Sequence, residues 1–128
     1  MEKERLQEYA ARVTQANRSE LVVIIYEATL ASIEEGKKYL KQGEIEAARH
    51  EIERARSMIT ELMASLDLQY EISHYLRQLY VFAYRELCQG IANRDPEQLN
   101  HATDIIEALL PYFKKVAKQE DSEDVKKK

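Results

Sequence analysis

The apolar positions along this chain recur at steps of three and four, which is the period of an amphipathic helix. The pattern is clearest over residues 44–66 and recurs over about 18–42, over 71–92 and from Pro96 onward, so the sequence predicts four long helices. The residues predicted to face inward in the last three helices are Ile45, Ala48, Ile52, Ala55, Ile59, Leu62 and Leu66; Ile72, Leu76, Leu79, Ala83, Leu87 and Ile91; and Leu99, Ala102, Ile106, Leu109, Phe113 and Val116.

Residues with known end preferences mark the helix boundaries. Asn17 and Glu20 have the spacing of a capping box, Gly43 suits the left-handed position after a helix, and Asp95 before Pro96 is typical of a helix start. Short loops predict antiparallel neighbours, so we expect an all-α, antiparallel up-down four-helix bundle. The predicted divisions are a short N-terminal helical cap segment (residues 1–16), the bundle (17–118) and a disordered tail (119–128).

One stretch of the first helix departs from the amphipathic pattern. "LVVIIY", residues 21–26, is apolar at six consecutive positions, and six consecutive helical positions point in every direction. A four-helix bundle covers only part of each helix, so something else must cover the rest. Two candidates are the leading segment, with Leu6, Tyr9 and Val13, and an apolar helix from another chain.

Composition excludes several classes of function. The net charge of −4 argues against a nucleic-acid-binding protein, and no apolar run approaches the roughly 20 residues that span a bilayer. The single cysteine cannot form an internal disulfide, which fits a reducing cytosol. The N-terminus is too polar for a signal peptide. We therefore expect a cytoplasmic protein of one domain that binds neither nucleic acid nor membrane.

Three features resemble catalytic or metal-binding patterns. Glu71 and His74 have the Glu-x-x-His spacing of di-iron bundles, but the motif occurs once where those bundles use two. Arg94 and His101 have the Arg-x6-His spacing of a family of small helical ribonucleases, but a helix start explains the residues between them. Cys88 has no basic or histidine neighbour in sequence, which favours a small buried residue. We expect no enzyme activity, no metal and no cofactor.

Several short motifs follow one another along the chain. They are Glu20-Leu21 and Tyr26-Glu27, Gly43-Glu44-Ile45, Glu61-Leu62 and Leu66-Asp67, Leu79-Tyr80, and Arg94-Asp95-Pro96. Their order and spacing resemble the flagellar export chaperone (FliS) family over about residues 9–118. This resemblance implies a cytosolic chaperone that binds the C-terminal helical segment of flagellin, prevents its premature polymerisation and supports type III export, with other flagellar export or regulatory proteins as further partners.

The resemblance also implies roles for particular residues. A groove for the client would contain Leu21, Val22, Ile25 and Tyr26, and the leading segment would cover it when no client is bound. Such a chaperone is expected to be a monomer or a weak homodimer. The alternative is a homodimerising helical-bundle adaptor or regulatory protein with a different partner, in which the apolar patch of the first helix is a permanent interface. The residues assigned to the cap are Leu6, Tyr9 and Val13.

Overall fold

The computed structural model describes the backbone of residues 18–126 and the side chains of residues 19–119. These residues form four helices, α1 (Arg18–Lys41), α2 (Ile45–Ala64), α3 (Glu71–Ala92) and α4 (Pro96–Lys126), and they contain no strand. The all-α prediction is therefore confirmed. The predicted cap segment, with Leu6, Tyr9 and Val13, and the predicted capping residue Asn17 lie outside the described residues.

Each helix packs against two others. Helix α1 contacts α2 and α4, and α3 also contacts α2 and α4, with the α2–α3 contact the smallest of the four. In the described part of the chain, no Cα atoms of the diagonal pairs α1–α3 and α2–α4 come within 8 Å of each other. Short connections reverse the chain between consecutive helices, so neighbours are antiparallel. This is the predicted up-down four-helix bundle.

Gly43 ends α1 as the sequence predicts. Its φ angle is +78°, in the left-handed region that costs glycine little. The Glu44 amide donates to the Tyr39 carbonyl at 2.9 Å, which is the long-range hydrogen bond of a Schellman motif. The short loop that this motif creates brings α2 back along α1.

The turn between α3 and α4 has the same form but places an arginine in the left-handed position. Arg94 has a φ angle of +52°, and the Asp95 amide donates to the Gly90 carbonyl at 2.8 Å. The Asp95 carboxylate then accepts the Glu97 amide at 3.0 Å and so begins α4. The predicted helix start is confirmed, and Arg94 is explained as part of the turn.

The inward face of α3 is displaced by one residue from the predicted face in the first half of the helix. Ile72 is 54 % exposed, whereas Ser73 is 6 % exposed and faces inward. Tyr80, at 1 % exposure, takes the core position predicted for Leu79, which is half-buried. A tyrosine can occupy the core here because its hydroxyl is paired with that of Tyr26.

At the far end of α3 the inward position is displaced by one residue in the opposite direction. Gly90, rather than Ile91, is buried against α4. A Cβ atom at position 90 would lie 2.7 Å from Cδ2 of Leu99 and 3.1 Å from its backbone nitrogen. The missing side chain therefore lets α3 and α4 approach closely at this end of the bundle.

Helix α4 is longer than predicted. It passes through Pro111 and continues to Lys126. Proline removes the amide that the Glu107 carbonyl would accept, but both positions are exposed, so water can replace that donor. The helix thus extends into the segment predicted as a tail, and the division into cap segment, bundle and tail remains a prediction.

Candidate functional site

A mainly apolar pocket of about 520 Å³ opens at one end of the bundle, where α1 and α3 begin and α2 ends. Its volume is within the range of roughly 300–1,000 Å³ that is typical of ligand sites. All four helices contribute to its walls. The lining residues are Ser19, Leu21, Val22 and Ile25 of α1; Leu62 of α2; Ser65, Leu66, Asp67 and Tyr70 of the α2–α3 connection; Ser73, Leu76 and Tyr80 of α3; and Phe113 of α4.

Three of the four residues assigned to the groove line this pocket. Leu21, Val22 and Ile25 are half-buried and form the α1 wall. Tyr26, in contrast, is fully buried and lies in the core cluster, outside the lining of the pocket. The structure thus gives α1 one wall of the site and places Tyr26 behind that wall.

The contributions of the other helices were not assigned to a site from the sequence. Leu62, Leu66 and Leu76 were predicted only as members of the inward seams. The signal that was available is their position, because each is among the first two or last two residues of its seam at the same end of the bundle. A seam that ends there has no further layer to pack against, so its last members face an opening.

The pocket is open partly because a small residue faces inward at this level of the bundle. The one-residue displacement of α3 puts Ser73 in the inward position that the pattern predicts for Ile72. Serine fills much less space than isoleucine, and the Ile72 side chain is exposed instead. Space that a regular bundle would fill with core side chains is therefore left open to solvent.

Tyr80 lines the inner end of the pocket, and Tyr26 lies behind it. The hydroxyl oxygens of Tyr26 and Tyr80 are 2.5 Å apart, and their rings are perpendicular with centroids 6.3 Å apart. Phe113 of α4 packs edge-on against Tyr26, with ring centroids at 5.3 Å. Burial raises the pKa of both tyrosine hydroxyls, so both keep their protons at neutral pH. The floor is thus aromatic with a neutral polar centre.

The α2–α3 connection forms one side of the opening. Its Tyr70 lines the pocket and is 64 % exposed, and Leu68 is also exposed. The Asp67 carboxylate accepts the Gln69 amide at 3.0 Å, and a ring nitrogen of His74 is 2.8 Å from the Leu68 carbonyl. These hydrogen bonds hold the connection in place while leaving its apolar side chains accessible.

The residues of the two catalytic patterns have other contacts. Oε1 of Glu86 is hydrogen-bonded to Nδ1 of His101 at 2.7 Å. This hydrogen bond lowers the pKa of the Glu86 carboxyl below its usual value. His74 contacts the backbone of the α2–α3 connection. Among the described residues no group of three or more His, Cys, Asp or Glu is arranged to hold a metal ion, and no helix is long and apolar enough to cross a membrane.

Cys88 lies beside a cation that the sequence does not place near it. The Arg56 guanidinium donates to its sulfur at 3.2 Å and also lies over the Tyr84 ring, 5.8 Å from the centroid. The three residues join α2 to α3 on the side away from the pocket lining. Cys88 is half-buried, so the expectation of a small buried residue is only partly met.

An antiparallel helical bundle with an open apolar pocket at one end defines a class of helical binding proteins. The family model described as "Flagellar protein FliS" matches residues 1–120, which is nearly the whole chain. The chain therefore belongs to the FliS family, a family of flagellar export chaperones and not of enzymes, as its motifs indicated. A search of curated proteins finds no match to the chain.

We expect the stability of the protein to fall steeply above about pH 10, the usual pKa of tyrosine. Burial raises the pKa of Tyr26 and Tyr80, so their contribution is fully present below that pH and is lost as the pH rises and unfolding releases their protons. Each group adds a slope of up to about 1.4 kcal/mol per pH unit. Urea unfolding followed by circular dichroism between about pH 8 and pH 11 measures this slope.

The double variant Tyr26→Phe/Tyr80→Phe should have a shallower alkaline profile than the wild type. Tyr112→Phe is the matched control, since the Tyr112 side chain is exposed in the folded protein. A wild-type profile as shallow as that of the double variant would contradict the role given to the buried pair.

Proposed function

We propose that this protein is a cytosolic export chaperone whose end pocket binds the C-terminal helical segment of flagellin. Binding there keeps the segment from polymerising prematurely and delivers it to flagellar type III export. The observation that carries the proposal is the open pocket, with its walls of leucine, isoleucine, valine and phenylalanine. Membership of the FliS family supports the chaperone role.

The chemistry of the walls fits an apolar helical client. Leu21, Val22, Ile25 and Leu66 present aliphatic carbon, and Asp67 is the one charged residue among those that line the pocket. Burial of apolar area stabilises such a complex by roughly 25 cal/mol per Å², and part of that gain offsets the cost of ordering the client. Binding should therefore show a negative heat-capacity change.

The pocket is smaller than a helix, so it can enclose only a few side chains of a client. The remainder of the client must lie on the surface around the opening. Leu68 and Tyr70, both exposed in the α2–α3 connection, offer apolar area there. We infer that the pocket anchors one end of the client segment and that the connection supports the adjoining turn.

The leading segment completes this proposal. We infer that residues 1–16 cover the pocket until a client displaces them, with Leu6, Tyr9 and Val13 as the apolar contacts. The support is sequence pattern, because these three residues recur at helical spacing, and proximity, because the segment joins α1 at the wall that carries Leu21. A cap of this kind lowers the apparent affinity for the client by the fraction of molecules that are closed.

A second candidate function is a homodimerising adaptor. The sequence placed its interface on the apolar patch of the first helix, but the structure offers a different exposed apolar surface. The six apolar residues at 21–26 are all buried or half-buried, so the first helix offers little free interface. An exposed apolar face lies instead along the α3–α4 edge, in line with Glu86 of α3, which contacts His101 of α4. Its exposed members are Ile72, Tyr75 and Phe82 of α3 and Tyr112 of α4.

Val22→Thr should weaken binding of a synthetic flagellin C-terminal peptide at least about fivefold. The change keeps the shape of the side chain but puts a hydroxyl in the apolar wall, and burying an unpartnered hydroxyl costs about 1–3 kcal/mol. Isothermal titration calorimetry of the full chain measures the affinity. Val81→Thr is the matched control, because Val81 is also half-buried but does not line the pocket. Equal affinities for the two variants would contradict the assignment of the site.

Removal of residues 1–16 should tighten binding of the same peptide severalfold. The truncated protein no longer has to open before it binds, so the fold-gain in affinity equals the reciprocal of the fraction of full-length molecules that are open. In the full chain, Leu6→Ser with Val13→Ser should reproduce part of this gain, whereas Lys3→Ser should not. Unchanged affinity after truncation would leave the client site intact and refute the cap.

Sedimentation velocity across a wide concentration range separates the chaperone from the adaptor. We expect the client-free protein to be a monomer or a weakly associating dimer, because a chaperone must keep its surface available. A tight dimer that Phe82→Ser disrupts, and that the flagellin peptide leaves intact, would favour the adaptor. Gln78→Ser, an exposed change on α3, is the control.

A further inference from the structure

The tyrosine pair at the floor of the pocket has one proton more than its hydrogen bond uses. Tyr26 and Tyr80 are both protonated at neutral pH and both hydroxyls are buried, and each can donate one hydrogen bond. One proton lies between the two oxygens. In the part of the chain that the structure describes, neither hydroxyl has another partner, so the second proton has no acceptor.

The second proton belongs to the residue that faces the pocket. Tyr80 lines the cavity, whereas Tyr26 does not. When Tyr26 donates to the Tyr80 oxygen, the free O–H belongs to the residue that lines the cavity, where an occupant can accept it. If Tyr80 donated to the Tyr26 oxygen instead, the O–H of Tyr26 would be buried without an acceptor, at a cost of about 1–3 kcal/mol.

The lining residues indicate the charge of the acceptor. They include no lysine, arginine or histidine, and they include one carboxylate, Asp67. A carboxylate entering this pocket would lose its hydration without gaining a cation and would meet a like charge at the opening. A neutral carbonyl oxygen accepts the same hydrogen bond without these costs.

We propose that the Tyr80 hydroxyl donates a hydrogen bond to a neutral carbonyl oxygen of the segment that occupies the pocket. In a helical client the free carbonyls are those of the last turn, because every earlier carbonyl accepts from its own helix. The pocket therefore takes the C-terminal turn of a client helix, with its apolar side chains against Leu66, Leu76 and Phe113. The identity of this occupant rests on the proposed function; the donor does not.

Two small probes of nearly the same shape test the donor without any client. Acetophenone has a carbonyl where α-methylstyrene has a methylene group, so the ratio of their affinities reports on a hydrogen bond to that oxygen. Titration of ¹⁵N-labelled full chain, followed by amide shifts of the residues that line the pocket, gives both affinities. The ratio of the acetophenone affinity to the α-methylstyrene affinity should be about two- to tenfold higher in the wild type than in Tyr80→Phe.

Two further variants fix the interpretation. Tyr84→Phe, one turn from Tyr80 and outside the lining, should keep the wild-type ratio. Tyr26→Phe removes the partner but leaves the Tyr80 hydroxyl, so it should also retain the preference for acetophenone. The proposal would be overturned if Tyr80→Phe left the affinity ratio unchanged, or if Tyr26→Phe alone abolished the preference for acetophenone. It would also be overturned if neither probe shifted the amide signals of the residues that line the pocket.

The flagellin peptide provides a second arm that separates this inference from the proposed function. If the peptide binds and Tyr80→Phe weakens its binding more than Tyr84→Phe does, the proposed donor and the proposed function are both supported. If the peptide fails to bind while the probes show the expected ratio, the function fails and the donor stands. If the peptide binds and the probe ratio is the same in all variants, the donor fails and the function stands.

Discussion

The hydrogen bond between the Tyr26 and Tyr80 hydroxyls joins α1 to α3 across the diagonal of the bundle. These two helices have no close backbone contact in the described residues, so only long side chains can span the space between them. Either hydroxyl buried alone would cost about 1–3 kcal/mol, and together they satisfy most of that requirement. The pair thus permits two large polar residues in the core and sets the level at which the core ends.

The pocket follows from what lies beyond that pair. Towards the opening, α1 continues with Val22, and α3 continues with Leu76 and then Ser73. All three line the cavity. The result is a site with apolar walls and a polar floor. In such sites apolar area provides most of the affinity, and a few fixed polar groups orient the ligand. The same two tyrosines therefore complete the core on one side and present a donor on the other.

The sequence predicts the bundle well, because helix periods and end signals are local properties. Gly43 and Asp95 mark their boundaries within a residue or two. The inward face of α3 is harder, because hydropathy ranks Ile72 and Leu79 above their neighbours Ser73 and Tyr80. Which residue faces inward depends on a partner on another helix, here Tyr26, and on the width of the bundle. For this reason the α1 wall of the site could be assigned from sequence, and the α3 wall could not.

The two ends of the bundle differ in a way that relates stability to binding. At the end without the pocket, Gly36 and Gly90 let helices approach so closely that an added Cβ would lie 2.7 Å from Ile52 and from Leu99, respectively. At the other end Ser73 occupies the inward position of α3, and a cavity is open there. A large aliphatic residue at position 73 would complete the regular seam and add to the core, but it would also fill the pocket. The departure from ideal packing is thus confined to the end that binds, and close packing at the opposite end compensates for it.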